Sequence, residues 1–264
     1  MVIRYTDGLW QQLMIEKKID ADWVEKEARN VDIDTIVHTN VREISAEWIC
    51  YNIWNKLKLT EFLQSRGWND TQIKLAATQV ISRAVYPASE LKTSNWIKEN
   101  SAICEVTGYD MEQITKDKLY DSALNLYDVK DDLEKHLLQR ANDLFELDDK
   151  IILYDLTNTY FEGRKLNSRL AQFGRSKKKR KDARLVVLAM VVNIERFIKY
   201  TAIHKGNIAD CNTLSTMIDK LATHTCSHKA VVALDAGIAT KENLELIQKK
   251  GFNYLCVSRT RLKN

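Results

Sequence analysis

The spacing of apolar residues changes near residue 148, and this change constrains the fold of the chain more than any other feature. Before it, apolar residues recur at helical intervals, as Leu133, Leu137 and Ala141 do within residues 129–146. After Asp149, short apolar or alternating segments are separated by turn-forming residues, which is typical of β-strands. The sequence therefore predicts an α+β protein with a mainly helical region over residues 1–148 and a sheet-containing region over residues 149–264.

The second region contains a predictable order of strands and helices. Predicted strands cover residues 151–161, 185–193, 196–204, 230–235 and 254–258. One predicted helix precedes the fourth strand and a second precedes the fifth, so the order is β-β-β-α-β-α-β. An antiparallel meander followed by a right-handed crossover places the fourth strand beside the first. This is an RNase-H-like topology.

One segment concentrates the positive charge of the chain. Of the 40 basic residues, ten lie between Arg164 and Arg184, where the only acid is Asp182, so this basic segment carries +9 while the rest of the chain carries −5. Its bases are Arg164, Lys165, Arg169, Arg175, Lys177, Lys178, Lys179, Arg180, Lys181 and Arg184. A solvated surface loop is one interpretation. Because like charges repel one another, contact with a polyanion is the other.

Two aspartates occupy unusual positions in the predicted strands. Asp155 interrupts an apolar strand and Asp235 ends one, 80 residues later. Burying a lone carboxylate costs several kcal/mol, about 2–7 for a polar group and more for a charge. If the first and fourth strands are neighbours, the two carboxylates converge at one edge of the sheet, where hard oxygen ligands favour Mg²⁺ or Mn²⁺. The alternative for each residue is an ordinary cap of a turn.

Several classes of protein are excluded by composition. The longest purely apolar run, residues 185–192, is far shorter than the roughly 20 residues that cross a bilayer, so we expect no membrane segment. The N-terminus lacks an apolar stretch of signal-peptide length, and the five cysteines form no C-x-x-C pair, so we expect a cytoplasmic protein without disulfides or a zinc ribbon. The eight glycines form no dinucleotide-binding or Walker A motif.

The region from about Asp149 onward resembles bacterial insertion-sequence transposases of the DDE class, and specifically the insertion-sequence-four superfamily. Four blocks carry the resemblance: Tyr154-Asp155-Leu156-Thr157 and the residues up to 163, the strand 185–190, the block 204–210 with its Gly-Asn pair, and Leu234-Asp235-Ala236-Gly237 followed by residues 242–244. The resemblance implies that Asp155 and Asp235 are catalytic and are the first two ligands of Mg²⁺ (or Mn²⁺).

The same resemblance implies a reaction and its partners. The reaction is DNA transposition, with metal-dependent phosphodiester cleavage and strand transfer at the element ends. The partner is double-stranded DNA, as element ends and as target, bound by a homodimer. The helical region is then expected to hold the element ends, and the basic segment to contact the phosphate backbone.

The third ligand of the family is a glutamate on a helix after the fifth strand, and the chain ends at Asn264 before such a helix. Glu162, Asp219 and Glu242 are internal acids, but none matches the family position. We therefore expect a truncated, inactive copy with an incomplete core. A DNA-binding remnant without catalysis and an RNase-H-like nuclease are the alternatives. The missing helix also predicts an apolar patch near Leu255 and Val257.

Overall fold

The computed structural model describes residues 41–147, 150–163, 166–174, 183–224 and 230–257, with the residues from Ile44 onward in one compact unit. The unit begins with helices and continues into a five-stranded mixed sheet, so the predicted α+β class is confirmed. No helix among these residues is long and apolar enough to cross a membrane.

Seven α-helices precede the sheet in the described part of the chain. They are α1 (Ser45–Lys56), α2 (Leu59–Ser65), α3 (Asp70–Val85), α4 (Glu90–Glu99), α5 (Ile103–Thr107), α6 (Lys116–Asp128) and α7 (Lys130–Phe145). Polar N-cap residues define the N-termini of several of these helices. Asn69 forms a capping box with Gln72, and the hydroxyls of Ser89 and Thr115 accept from the backbone N–H groups three residues later. The apolar faces of these helices pack into a core of their own, which contains Trp54, Ile81 and Ile97.

The sheet has the predicted topology. Its strands are β1 (Ile151–Tyr160), β2 (Leu185–Asn193), β3 (Ile198–Lys205), β4 (Val231–Leu234) and β5 (Asn253–Cys256), in the spatial order β3-β2-β1-β4-β5. The first three strands are antiparallel, whereas β4 is parallel to both β1 and β5. The prediction that the fourth strand returns beside the first is confirmed.

Two helices cover one face of the sheet. They are α8 (Leu214–His224), between β3 and β4, and α9 (Lys241–Lys249), between β4 and β5. Leu214, Ile218 and Ile247 pack with Ile152 and Tyr154 in the core of the sheet. Because side chains alternate along a strand, the remaining side chains of β1 point to the opposite face of the sheet. Residues 153, 155, 157 and 159 are exposed there, and we call this the open face.

The turn between β2 and β3 contains a strained residue. Arg196 has φ +71°, a left-handed conformation that favours glycine. Its N–H donates to the carbonyl of Asn193 at 3.0 Å, and the Asn193 side chain accepts from the N–H of Phe197 at 2.8 Å. These bonds close the turn and hold an arginine in a conformation that costs about 1 kcal/mol.

Candidate metal centre and DNA-binding segment

Asp155 and Asp235 occupy equivalent positions on the two central parallel strands. The register pairs Ile151 with Val231 and continues, residue by residue, to Tyr154 with Leu234. One step further along the same register are Asp155 and Asp235. Neighbouring strands lie about 4.8 Å apart, so the two backbones are close at this point. The structure thus brings the two predicted site residues together, Asp155 in the middle of β1 and Asp235 directly after the carboxyl end of β4.

Both aspartates are on the open face of the sheet. In β1, Leu153, Asp155 and Thr157 are exposed, whereas the residues between them are buried beneath α8 and α9. Asp235 is also exposed. Exposed carboxylates keep their hydration, so the position of Asp155 within an apolar strand does not impose the burial cost that the sequence alone suggests. They are also accessible to a hydrated cation.

Buried hydrogen bonds fix the strand that carries Asp155. The hydroxyl of the preceding Tyr154 donates to the Thr213 hydroxyl at 2.6 Å, and that hydroxyl donates to the carbonyl of Asp210 at 2.7 Å. Burial raises the pKa of Tyr154 to about 12, so the phenol remains protonated and can donate throughout the physiological range. This chain of bonds ties β1 to the turn that begins α8.

A second set of hydrogen bonds fixes the turn that carries Asp235. The Asp235 carboxylate accepts from the N–H of Ala236 at 2.7 Å. The side-chain amide of Asn243, on α9, donates to the carbonyls of Ile238 and Cys211 at 2.8 Å each. Sequence reasoning missed this positioning role of Asn243. The only signal was its presence in one of the blocks that carry the family resemblance.

A cavity of about 520 Å³ lies over the two carboxylates. Its apolar walls include Leu153, Leu255 and Val257. Leu255 and Val257 are 65% and 70% exposed, so the predicted apolar patch at these residues is confirmed. The site therefore has a charged part, at the aspartates, and an apolar part on the side of Leu153.

Two of the three internal acids considered as a third ligand are occupied elsewhere. Asp219 forms an ion pair with Lys250 at 2.8 Å, on α8, which covers the opposite face of the sheet. Glu242 lies in the first turn of α9, where hydrogen bonds from its own N–H and from the Thr240 hydroxyl lower the pKa of its carboxyl. Glu162 is exposed just beyond β1. Among the described residues, no three His, Cys, Asp or Glu side chains are grouped to hold a metal.

The donor set fits a hard, partly hydrated cation. Mg²⁺ commonly takes one or two carboxylates and completes its octahedron with waters and substrate phosphates. Asp155 and Asp235 provide such a pair of carboxylates. Mn²⁺ accepts the same oxygen ligands.

The described part of the basic segment holds one arginine in a defined position. The guanidinium of Arg184 donates to the carbonyl of Ala171 at 3.2 Å and lies 5.4 Å from the centre of the Phe173 ring. Arg169 is exposed nearby in sequence. The remaining candidates lie outside the described residues: Arg164, Lys165, Arg175, Lys177, Lys178, Lys179, Arg180 and Lys181.

Comparison with known proteins gives structural matches only. The chain matches no protein-family model and no curated protein. It is similar to a piggyBac transposase in a synaptic complex with hairpin DNA, with 8% identity, a TM-score of 0.40 and coverage of 75% of this chain and 44% of that one. It is similar to Mos1 transposase in a paired-end complex with the left transposon end, with 8% identity, a TM-score of 0.30 and coverage of 96% and 73%. A Mos1 mariner paired-end complex with Mn has 9% identity, a TM-score of 0.29 and coverage of 95% and 72%.

The charge at the aspartate pair leads to a prediction about stability. Without a divalent cation the neighbouring carboxylates repel each other, so Asp235→Asn should leave the melting temperature unchanged or raise it. The asparagine oxygen can still accept from Ala236 N–H. With Mg²⁺ at about ten times its dissociation constant, the melting temperature of the wild type should rise, whereas that of the variant should not. Thermal unfolding by circular dichroism, with EDTA and with Mg²⁺, measures both. A large loss of stability in EDTA would contradict the repulsion.

Proposed function

We propose that this chain acts on DNA as part of a DDE-type transposition reaction, with Asp155 and Asp235 as two ligands of a divalent cation. The observation that carries the proposal is the parallel register of β1 and β4, which leads to neighbouring exposed positions for both aspartates on the open face of the sheet. The sequence blocks around them support a place among insertion-sequence transposases of the insertion-sequence-four superfamily, and the basic segment supports DNA as the partner.

The residues of the site have different roles. Asp155 and Asp235 hold the cation, and their backbones are fixed by the bonds of Tyr154 and Asn243. When bound, Mg²⁺ or Mn²⁺ activates the attacking oxygen and stabilises charge on the phosphate. No His or Lys general base is required for such chemistry. The basic segment lowers the cost of bringing a polyanion to a site that itself carries two negative charges.

A DNA-binding protein without catalysis is the second candidate. It is favoured by one observation: among the described residues, no three His, Cys, Asp or Glu side chains are grouped to hold a metal. Both functions require that the chain bind DNA and a cation at the aspartate pair. They differ in whether phosphodiester bonds are cut.

Coupling between cation and DNA binding tests the shared part of the proposal. Fluorescence anisotropy would measure the affinity for labelled duplex DNA in EDTA and in Mn²⁺ at constant ionic strength. Because the cation neutralises the carboxylates and coordinates phosphate, we expect Mn²⁺ to tighten wild-type binding by about tenfold, or roughly 1.4 kcal/mol.

The matched variant is Asp155→Asn/Asp235→Asn, which removes both charges and keeps the shapes of the side chains. We expect it to bind DNA equally in EDTA and Mn²⁺. An equal gain from Mn²⁺ in the variant, or a wild type that binds no DNA, would overturn the proposal.

A further inference from the structure

A row of polar side chains extends along β1 from the aspartate pair. Asp155, Thr157 and Thr159 are all exposed on the open face, in alternation with less exposed residues. At about 3.3 Å per residue, Thr157 lies about 6.6 Å from Asp155 along the strand and Thr159 about 13 Å. The neighbouring β4 ends at Leu234, so both threonines extend past its end.

The row continues towards the basic segment. Tyr160 pairs with Leu185, and one step further the N–H of Phe161 donates to the carbonyl of Arg184 at 3.0 Å. Leu185 is fully buried in the core of the sheet, so alternation places Arg184 on the open face with Thr159. The contacts of its guanidinium with Ala171 and Phe173 hold this positive charge at the end of the row.

The two sides of the aspartate pair differ in chemistry. On one side lie Leu153 and Leu255, which offer nothing to a phosphate. On the other lie the hydroxyls of Thr157 and Thr159 and the positioned Arg184, and hydroxyl and guanidinium groups are common donors to nucleic-acid phosphates. The two-residue repeat of a strand is also comparable to the spacing of successive phosphates along one nucleic-acid strand.

We propose that Thr157, Thr159 and Arg184 bind the phosphates of one DNA strand, which runs along β1 from the aspartate pair to Arg184. This phosphate track rests on the proposed function, since it takes the DNA bound at the aspartates as its starting point. The threonines are positioning residues. They contact the DNA backbone, are neutral and read no bases.

The salt dependence of DNA binding distinguishes hydroxyl contacts from charged ones. Thr157→Val/Thr159→Val removes two hydroxyls and keeps the β-branched shape that suits a strand. We expect it to weaken duplex binding by about five- to twentyfold with an unchanged slope of log affinity against log salt, because a neutral donor releases no counterion. Arg184→Gln should weaken binding and flatten the slope by about one unit.

Two further variants act as controls. Thr157→Ser/Thr159→Ser keeps both hydroxyls and should bind within about threefold of the wild type. Thr216→Val changes an exposed threonine on α8, which covers the other face of the sheet, and should bind as the wild type does. Thermal unfolding of each variant verifies that it is folded.

The outcomes separate the track from the function on which it rests. If the wild type binds DNA and the double valine variant binds equally well, the track is overturned and the proposed function stands. Equal losses in the serine and valine variants would also overturn it, since they would assign the effect to packing. A wild type without affinity for DNA would overturn both.

Discussion

Replacing Lys177, Lys178, Lys179 and Arg180 with glutamine should weaken DNA binding by roughly 10²- to 10³-fold at about 0.1 M salt. If about five side chains of the basic segment contact phosphates, the wild-type slope of log affinity against log salt is near −4 to −5, and the variant should flatten it by several units. The physical reason is the release of condensed counterions, to which each contact contributes separately. Fluorescence anisotropy over a series of salt concentrations gives both quantities.

The matched control keeps the charges and changes the side chains. Lys177→Arg/Lys178→Arg/Lys179→Arg, with Arg180 intact, should retain the wild-type slope. A quadruple glutamine variant with the wild-type slope would show that the run is a solvated loop, and the DNA contacts would then have to lie elsewhere. This comparison would therefore decide between the two interpretations of the basic segment, a solvated surface loop or contact with a polyanion.

The second large effect concerns cleavage. If no third acid completes the site, as the second candidate function requires, the 264-residue chain should produce no Mg²⁺- or Mn²⁺-dependent cutting of element-end DNA above background. Among the described residues no three acids are grouped to hold a metal, and a displacement of about 1 Å at a reacting centre already lowers the rate by about 10²-fold. A gel assay with labelled DNA, in Mg²⁺ and in Mn²⁺, measures the rate.

The informative comparison is the wild-type chain with Asp155→Ala in the same assay. Cutting by the wild type that Asp155→Ala removes would contradict the second candidate function and support the transposition reaction. Glu162 would then be the first internal acid to test, because it lies just beyond the strand that carries Asp155.

The sheet and the aspartate pair were predictable because they depend on local pattern and handedness. A period of two residues marks the strands, and a right-handed crossover leaves one position for β4. Once β4 is beside β1, Asp155 and Asp235 come close because each lies four residues after the start of its strand. The caps at Ser89 and Thr240 and the left-handed Arg196 follow from equally local rules.

The supporting contacts were not predictable from the sequence. The bond from Tyr154 to Thr213 joins residues 59 apart, and the bond from Asn243 to Cys211 joins residues 32 apart. Each depends on how α8 and α9 pack on the sheet. The exposure of Asp155 was missed for a related reason, since flanking apolar residues indicate a strand but do not tell which of its faces is covered.

Binding of Mn²⁺ to the chain in the absence of DNA tests the central claim most directly, because it needs neither catalysis nor a known target sequence. Titration followed by electron paramagnetic resonance would compare the wild type with Asp155→Asn, Asp235→Asn and the control Asp219→Asn. Our account predicts a site in the wild type and in the control, and at least tenfold weaker binding, about 1.4 kcal/mol, in each of the other two. Wild-type affinity in either Asp155→Asn or Asp235→Asn would contradict a shared cation site.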